Sequence, residues 1–396
     1  MRELDDHAAH ALTLVSPLAP VTVPISAALG ALVADDCLAR TASPPFDNSA
    51  MDGYALRAAD VAGASEGAPV TLPVAGETAA GAAHGRVPPG TAWRIMTGAP
   101  LPAGADAVVQ VEATDGGVDA VAVRSPVEAG RHVRLAGEDC REGDLVVPAG
   151  ARLTAVRLAA LAAAGVAEVS VAPRPRVAVL ATGDELVAPG EALGPGQIHD
   201  SNATLLAGLV AEAGADAVVL ERVRDEPSAL LARLDDVHVD LIVTTGGVSV
   251  GAYDVVKAAL ADRGVDFVTV AMQPGKPQGL GSVDGTPIAC LPGNPVSVLV
   301  SFATIVAPMI RRLRGVDRGS PAQASVVAEG WRTPPGRRQF MPVRFVSGGE
   351  VAPATAGGSG SHLVASLAVA DALADIPAAV SEVVAGDTVR IVRWSP

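Results

Sequence analysis

Between residues 175 and 315, short apolar segments alternate regularly with amphipathic ones. The apolar segments are predicted strands and lie at 176–181, 217–223, 241–245, 267–272 and 287–291. The amphipathic segments have the apolar spacing of helices and lie at 201–214, 226–236, 253–263 and 296–313. Strands that are apolar on both faces and separated by helices are typical of a parallel sheet covered on both sides. The chain therefore predicts a doubly wound, mainly parallel α/β domain, with ligands beyond the carboxyl ends of its strands.

The flanking segments have other patterns, and a length of 396 residues exceeds what one core usually supports. Short alternating runs rich in Gly, Pro, Val and Thr predict a small inserted β domain. The Ala- and Leu-rich stretch 151–168 is a predicted helix, and we expect it to pair with the amphipathic stretch 3–15. The predicted domains are helical/linker, inserted β, α/β and C-terminal β-barrel-like, at residues 1–45 with 136–173, 46–135, 174–317 and 318–396.

Charge and cysteine content exclude several classes of protein. A net charge of −14 argues against a nucleic-acid binder, which needs a broad basic face, and leaves only local side chains to bind an anion. Three scattered cysteines without a CxxC pair predict neither a zinc knuckle nor a disulfide scaffold. The apolar stretch 285–310 is broken by prolines, so we interpret it as a buried strand, a turn and a helix, not a membrane span. The N-terminus lacks the layout of an export signal, and we expect a cytoplasmic protein.

Several polar residues lie in Gly- and Pro-rich loops before the α/β domain. Asp52 belongs to the loop at 44–55, Thr97 ends a predicted strand, and Arg134 precedes Asp139 by a few residues. Such residues either satisfy their own turns and form surface ion pairs, or provide a polar lip for a ligand. Residue types alone leave both interpretations open.

The loop after the first strand of the α/β domain offers oxygen ligands. It contains Thr182, Asp184 and Glu185, and two adjacent carboxylates suit a hard cation such as Mg²⁺. Asp225, at the start of a predicted helix, is either a helix cap or a further ligand.

The sequence TTGGVSVG at 244–251 is the strongest single feature. A buried strand leads into small residues that let backbone N–H groups approach phosphate oxygens, namely Gly246, Gly247, Ser249 and Gly251. Asp254 follows at a helix start, as a metal ligand or a cap. The spacing matches neither the P-loop nor the dinucleotide-binding fingerprint.

Two more loops are expected at the same edge of the sheet. QPGKP places Lys276 before Pro277 as the only cation of a rigid turn. LPGNPVS opens the last helix and contains Pro292, Gly293, Asn294 and Pro295. Three Gly/Pro loops that converge on one edge predict an anion site.

Seven motifs occur in the order seen in the molybdopterin molybdenumtransferases, the MoeA and gephyrin E-domain family. They are SAMDGYA, RIMTGAPLP, ATGDEL, GQIHDSN, TTGGVSVG, QPGKP and CLPGNPVS. The chain resembles this family from about residue 3 to residue 393. The resemblance implies a homodimer of four-domain subunits, whose third domain is MogA-like, that is, similar to molybdopterin adenylyltransferase.

The resemblance also implies an activity. Members take adenylylated molybdopterin, hydrolyse its pyrophosphate bond with Mg²⁺, insert molybdate and release AMP. The active site is expected to be shared between subunits, with a molybdopterin adenylyltransferase and molybdoenzymes as candidate partners and with no nucleic acid or membrane.

The family motifs also imply particular site residues. From one subunit come Asp52, Thr97, Arg134 and Asp139. From the other come Glu185, Asp225 and Asp254, with Glu185 and Asp254 as the expected Mg²⁺ ligands and Pro292 and Pro295 in the wall. The positions implicated in molybdate binding are Lys276, Pro277, Arg337 and Ser361.

The chain departs from the family just before the PGKP turn. Many members carry lysines where this chain has Thr269 and Gln273. Either Arg337, Arg338 or Arg344 compensates for the lost charge, or the chain is a paralogue with altered efficiency. The alternatives to a molybdenum-inserting enzyme are the adenylyltransferase step itself and a non-catalytic molybdopterin-binding carrier or scaffold.

Overall fold

The computed structural model describes residues 1–78, 81, 85–224, 226–235, 237–248, 254–316, 323–355, 360 and 363–394. The chain forms two compact units. The larger unit consists of Met1–Pro20 and Ala172–Pro396, and the smaller unit consists of Val21–Val171. Helix α1 (Leu4–Thr13) belongs to the larger unit. The division into four domains stays a prediction.

The smaller unit is built mainly from short strands. They are β1 (Val21–Pro24), β2 (Cys37–Leu38), β3 (Asn48–Ser49), β4 (Gly53–Leu56), β5 (Val70–Thr78), β6 (Ala92–Ile95), β7 (Ala107–Gln110), β8 (Ala120–Val123), β9 (Val133–Arg134), β10 (Leu145–Val147) and β11 (Glu168–Val171). Five of them form a sheet in the order β7-β4-β6-β5-β8. Alternate residues of β4 enter two cores, Tyr54 and Leu56 in one and Ala55 in the other.

The smaller unit also contains the helix α2 (Ala155–Ala163). It begins after Thr154, whose hydroxyl accepts a hydrogen bond from the Arg157 backbone N–H at 3.4 Å. Its Leu161 is fully buried in a cluster with Val33 and Val169.

The α/β part of the larger unit contains strands β12 to β20. They are β12 (Arg176–Ala181), β13 (Leu186–Val187), β14 (Ile198–His199), β15 (Asp216–Val219), β16 (Leu241–Thr245), β17 (Val265–Thr269), β18 (Met272–Gln273), β19 (Pro277–Val283) and β20 (Thr286–Leu291). Six form a sheet in the order β15-β12-β16-β20-β19-β17. The first four strands are parallel, and β19 is antiparallel to both of its neighbours. The predicted doubly wound, mainly parallel α/β fold is confirmed.

Helices cover both faces of this sheet. They are α3 (Ser201–Glu212), α4 (Pro227–Asp235), α5 (Val255–Leu260), α6 (Pro295–Ser301) and α7 (Ala307–Leu313). Side chains of β12 alternate between the faces, so Val177 and Val179 pack with α1, α3, α6 and α7, whereas Ala178 and Leu180 pack with α4 and α5. A turn of π-helix, Phe302–Val306, joins α6 to α7 just before Pro308, whose ring cannot accept the regular helical hydrogen-bond pattern.

The continuous helix Pro295–Leu313 is long and apolar enough to cross a membrane, but 78% of its most apolar window is buried inside the protein. The interpretation of this stretch as a strand, a turn and a core helix is therefore confirmed.

The C-terminal part of the larger unit is a second sheet. Its strands are β21 (Gln323–Val326), β22 (Trp331–Arg332), β23 (Arg338–Phe345), β24 (Val351–Pro353), β25 (Ala372–Ile376), β26 (Glu382–Val383) and β27 (Thr388–Val392). The order is β18-β23-β25-β27-β21, with β24 against β23 and a separate pair β22-β26. Because β18 lies just before the PGKP turn, this sheet joins the α/β part at that turn.

One sequence-based expectation about packing is wrong. The stretch 3–15 was expected to pair with the helix at 151–168. Instead it packs within the larger unit, where Leu4 and Ala11 of α1 share one core with Met309 and Leu313 of α7. The cap of α3 is Asp200, whose carboxylate accepts a hydrogen bond from the Ala203 N–H at 3.0 Å.

Candidate functional site

An open cavity of about 1330 Å³ lies in the larger unit, beyond the carboxyl ends of β12, β16 and β20. Parallel strands place their following loops together at this edge, which is where ligands bind in such sheets. The cavity is lined by many of the residues that the sequence predicted, namely Thr182, Glu185, Gly246, Gly247, Asp254, Lys276, Pro277, Pro292, Gly293, Asn294, Pro295 and Arg337.

Glycines keep the floor of the cavity free of side chains. Gly246 has φ +92°, and a Cβ there would come within 2.7 Å of the Thr182 carbonyl oxygen. A Cβ on Gly293 would lie 3.4 Å from the Gly246 Cα, so the two loops meet backbone to backbone. The Gly246 N–H already donates to the Leu291 carbonyl at 3.1 Å, so it serves the fold and not a ligand.

Asn202 joins these loops, and we did not predict its role. It is 8% exposed, and its Nδ2 donates to the Gly293 carbonyl at 2.6 Å and to the Thr245 hydroxyl at 3.2 Å. Thr245 donates in turn to the Pro292 carbonyl at 3.1 Å. Because Asp200 caps α3, Asn202 is available for this contact; the polar run HDSN before an apolar helix was the available signal.

The positive charge of the cavity comes from a few local side chains. Lys276 is exposed on the PGKP turn and is one of two lysines in the chain, the other being Lys257 of α5. Arg337 lines the same cavity and donates to the Gln273 side chain at 3.3 Å. Arg332, which we did not predict, also lines the cavity.

The arginines proposed to compensate for the missing lysines have different roles. Arg337 brings a guanidinium to Gln273, one of the two replaced positions. Arg338 is engaged by Asp375 at 2.6 Å and 2.7 Å and by Asp5 at 2.8 Å, and these hydrogen bonds raise its pKa. Arg344 is exposed on β23 and is not among the residues that line the cavity. Arg337 is therefore the arginine placed to compensate.

Two carboxylates of the cavity could hold a metal. Glu185 folds back over Gly183, since a Cβ there would lie 2.5 Å from Glu185 Oε2. Asp254 stands at the N-cap of α5 without making a capping hydrogen bond. Its Oδ2 is buried and finds no hydrogen-bond donor in the part of the chain that the structure describes. A buried carboxylate oxygen without a donor is costly, and a cation would compensate it.

The described residues contain no cluster of three His, Cys, Asp or Glu side chains that could hold a metal by themselves. Mg²⁺ is usually bound through one or two carboxylates together with substrate phosphates and water. Glu185 and Asp254 therefore fit Mg²⁺ better than they fit a closed structural metal site.

The smaller unit contains the other predicted residues. Asp52 Oδ1 accepts hydrogen bonds from the Thr97 N–H at 2.7 Å and the Thr97 hydroxyl at 2.9 Å. These two bonds, the backbone one first, lower the pKa of Asp52. Arg134 pairs with Asn48 between β9 and β3, and the Asp139 N–H donates to the Ser43 carbonyl at 3.1 Å. All four predicted residues thus border one segment, 43–52.

Four predicted residues lie outside the described part of the chain. They are Asp225, Ser249, Gly251 and Ser361.

Three family models match successive parts of the chain. They describe the MoeA N-terminal region (domain I and II) at residues 2–165, a Probable molybdopterin binding domain at 178–312 and the MoeA C-terminal region (domain IV) at 324–394. The chain belongs to the MoeA family. The resemblance inferred from the seven motifs is confirmed.

Individual members of the MoeA family are similar over the whole chain. Molybdopterin molybdenumtransferase 2 of Mycobacterium tuberculosis H37Rv is 45% identical over 403 residues, covering 99% of both chains. Molybdopterin molybdenumtransferase 1 of the same strain is 35% identical over 421 residues, covering 99% of this chain and 98% of the relative. The crystal structure of a molybdopterin biosynthesis MoeA protein from Pyrococcus horikoshii has a TM-score of 0.88 at 33% identity, covering 100% of this chain and 99% of that one.

Proposed function

We propose that this chain is a molybdopterin molybdotransferase of molybdenum cofactor biosynthesis. It takes adenylylated molybdopterin, cleaves its pyrophosphate bond, inserts molybdate and releases AMP. The observation that carries the proposal is that Lys276, Arg337 and the glycine loops of the parallel sheet line one cavity. Relatives named molybdopterin molybdenumtransferase, up to 45% identical over 99% of the chain, support it.

The cationic end of the cavity binds molybdate. Molybdate is a dianion, and fixed charged donors bind oxyanions about twice as strongly as neutral donors. Lys276, Arg337 and Arg332 line this end in a protein whose net charge is −14, so the attraction is local. Ser361 and Pro277 belong to the same proposed subsite.

The glycine loops bind the pterin phosphate and the nucleotide. Backbone groups can approach a phosphate closely where Gly247 and Gly293 line the cavity without side chains. Thr182 and Asn294 also line the cavity, and Pro292 and Pro295 are the proposed rigid part of its wall. Ser249 and Gly251 are further phosphate-binding residues that we propose from the sequence.

Glu185 and Asp254 are the proposed Mg²⁺ ligands, and Asp225 is a further acidic residue of the site. Held by these carboxylates, Mg²⁺ would supply positive charge to neutralise the phosphates during cleavage of the pyrophosphate bond. Both carboxylates line the same cavity as Lys276 and Arg337. Cys290, at the end of β20, is fully buried, and burial raises the pKa of its thiol, which disfavours a thiolate nucleophile.

We further propose a cytoplasmic homodimer in which the smaller unit of one subunit completes the cavity of its partner. Asp52, Thr97, Arg134 and Asp139 are the residues that it contributes. Thr97 holds the Asp52 carboxylate in one orientation through two hydrogen bonds, which suits a residue that orients water or substrate. A molybdopterin adenylyltransferase would supply the substrate, and molybdoenzymes would accept the product.

The test is incubation of the purified protein with adenylylated molybdopterin, molybdate and Mg²⁺. We expect AMP release and a cofactor that activates a molybdenum-free molybdoenzyme. Lys276→Ala should raise KM for molybdate about tenfold to a hundredfold, because a charge-assisted contact is worth about 1.5–3 kcal/mol. Lys257→Ala is the matched control, since Lys257 is exposed on α5 and does not line the cavity.

Other outcomes would refute the proposal. Release of neither AMP nor active cofactor excludes the activity. Cofactor binding without pyrophosphate cleavage, unchanged by Lys276→Ala, indicates a carrier or scaffold, and ATP-dependent adenylylation of molybdopterin indicates the adenylyltransferase step.

A further inference from the structure

A buried polar side chain lies directly behind the turn that carries Lys276. Gln278 of β19 is 1% exposed, and its Nε2 donates to the Gly275 carbonyl at 2.9 Å and to the Ser301 hydroxyl at 3.0 Å. A carbonyl oxygen only accepts hydrogen bonds, so the contact with Gly275 fixes which end of the amide faces the turn.

The other end of this amide faces the first helix of the chain. Gln278 Oε1 lies 3.2 Å from Nε2 of His7, which is fully buried on α1. Because the amide oxygen accepts, His7 must donate from Nε2, so a neutral His7 carries its ring proton on that nitrogen. Burial, and then the charge of Arg2, lower the pKa of His7 to about 4, in agreement with a neutral ring.

The residues before His7 are attached to the same turn. The Arg2 N–H donates to the Thr269 carbonyl at 2.8 Å, and the Ala271 N–H donates to the Arg2 carbonyl at 2.8 Å. The turn itself is closed by a hydrogen bond of 2.8 Å from the Val270 N–H to the Lys276 carbonyl. The N-terminal segment therefore contacts the strand before the turn and, through His7, the amide behind it.

We propose that His7 and Gln278 are positioning residues that hold the PGKP turn, and with it Lys276, in its anion-binding conformation. Neither side chain is placed to touch the ligand. The hydrogen bonds run from His7 to the Gln278 side chain, and from that side chain to the carbonyl of Gly275, one residue before Lys276. The inference rests on the proposed function for the identity of the anion, molybdate.

Packing alone does not explain this arrangement. An apolar side chain would fill the space at β19, whereas a buried amide is favourable only when its hydrogen bonds are made. Gly275 is buried with φ +110°, and the Gln278 amide donates a hydrogen bond to its carbonyl at 2.9 Å. Loss of the donor should therefore release the turn without unfolding the unit.

The experiment compares Gln278→Met, His7→Leu and His7→Gln with His10→Leu as the control on the same helix. Met keeps the shape of Gln but donates no hydrogen bond, and Gln at position 7 keeps a side-chain N–H. We expect Gln278→Met and His7→Leu to raise KM for molybdate at least about fivefold with kcat within about twofold. His7→Gln should restore most of the affinity, and His10→Leu should leave it unchanged.

Hydrogen exchange of the segment 272–278 is the second measurement. It should accelerate in Gln278→Met and His7→Leu at temperatures well below their melting points, and not in His10→Leu. An unchanged KM and unchanged exchange in Gln278→Met would overturn the inference, as would a fall in kcat with constant KM. If the wild-type protein releases no AMP, the proposed function fails, while the exchange data still decide whether His7 and Gln278 hold the turn.

Discussion

Single residues give the cavity of the larger unit its chemistry, and they carry charges of both signs. Lys276 and Arg337 bring positive charge to one group of loops, and Glu185 and Asp254 bring negative charge to another. In a chain of net charge −14, such local cations are what an anionic substrate requires. Arg337 directly precedes β23, and its hydrogen bond to Gln273 shows how a cation from a distant part of the sequence reaches a turn that lacks the family lysine.

His7 makes the stability of the protein depend on pH. Its pKa falls from 6.5 to about 4 in the folded state, so the unfolded chain binds more protons between these values. The free energy of unfolding is therefore highest, as far as His7 is concerned, above pH 6.5. It decreases as the pH falls toward 4, by about 3 kcal/mol in total. Urea unfolding at several pH values should show this slope for the wild-type protein.

His7→Gln should flatten that part of the profile. If the free energies of unfolding of wild-type and variant proteins run parallel from pH 4 to pH 6.5, His7 does not titrate as its burial implies.

At the scale of elements, the glycine loops depend on backbone conformation more than on side chains. Gly246 has φ +92° and lies against the Thr182 carbonyl, so Gly246→Ala should strain the turn and push the loops apart. We expect weaker binding of adenylylated molybdopterin and a loss of stability of about 1–3 kcal/mol. Calorimetric titration and urea unfolding measure the two effects.

Gly208→Ala is the matched control for this change. Gly208 lies within α3, and a Cβ added there would have no atom of another segment within 4 Å, so alanine should stabilise the helix by about 0.5–1 kcal/mol and leave binding unchanged. Equal effects of the two substitutions would show that the conformation of Gly246 is not required.

The sequence predicted the elements whose pattern is local and missed those fixed by distant contacts. The apolar run 241–245 coincides with β16, and Gly246 and Gly247 follow it as expected. In contrast, β19 contains Gly279 and Gly281, which have weak strand propensity, and it was missed. A Cβ at Gly281 would lie 2.1 Å from the Gly264 carbonyl oxygen, and a Cβ at Gly279 would lie 2.6 Å from the Phe267 ring. The contacts with this neighbouring segment explain both glycines, and no pattern within β19 reveals them.

The candidate site was predictable to a similar extent. Motifs identified Lys276 and the glycine loops because their chemistry is contained in a few consecutive residues. Asn202 and Gln278 act through carbonyls about 90 and 3 residues away, and only the fold shows which carbonyl each reaches. The amphipathic pattern of α1 likewise predicts a buried face without naming the helix that covers it.

At the scale of the whole molecule, the proposed residues are divided between two units. Asp52 and Thr97 belong to the smaller unit, whereas Lys276 and Glu185 belong to the larger one. If each active site combines units from different subunits, Asp52→Ala and Lys276→Ala should complement one another. Dimers reassembled from an equal mixture should recover about a quarter of wild-type turnover, because half are mixed and each of those has one intact site.

Reassembled homodimers of either variant are the control and should remain impaired. A mixture no more active than its components would place the complete site within one subunit.

The most direct test of the cavity as the site uses the lysine content of the chain. Lys276 lines the cavity and Lys257 does not, and no other lysine is present in the sequence. Lysine acylation should be followed by mass spectrometry with and without molybdate and adenylylated molybdopterin. We expect the substrates to protect Lys276 while Lys257 reacts at an unchanged rate. Equal reactivity of Lys276 in the presence and absence of substrates would contradict its place in the site.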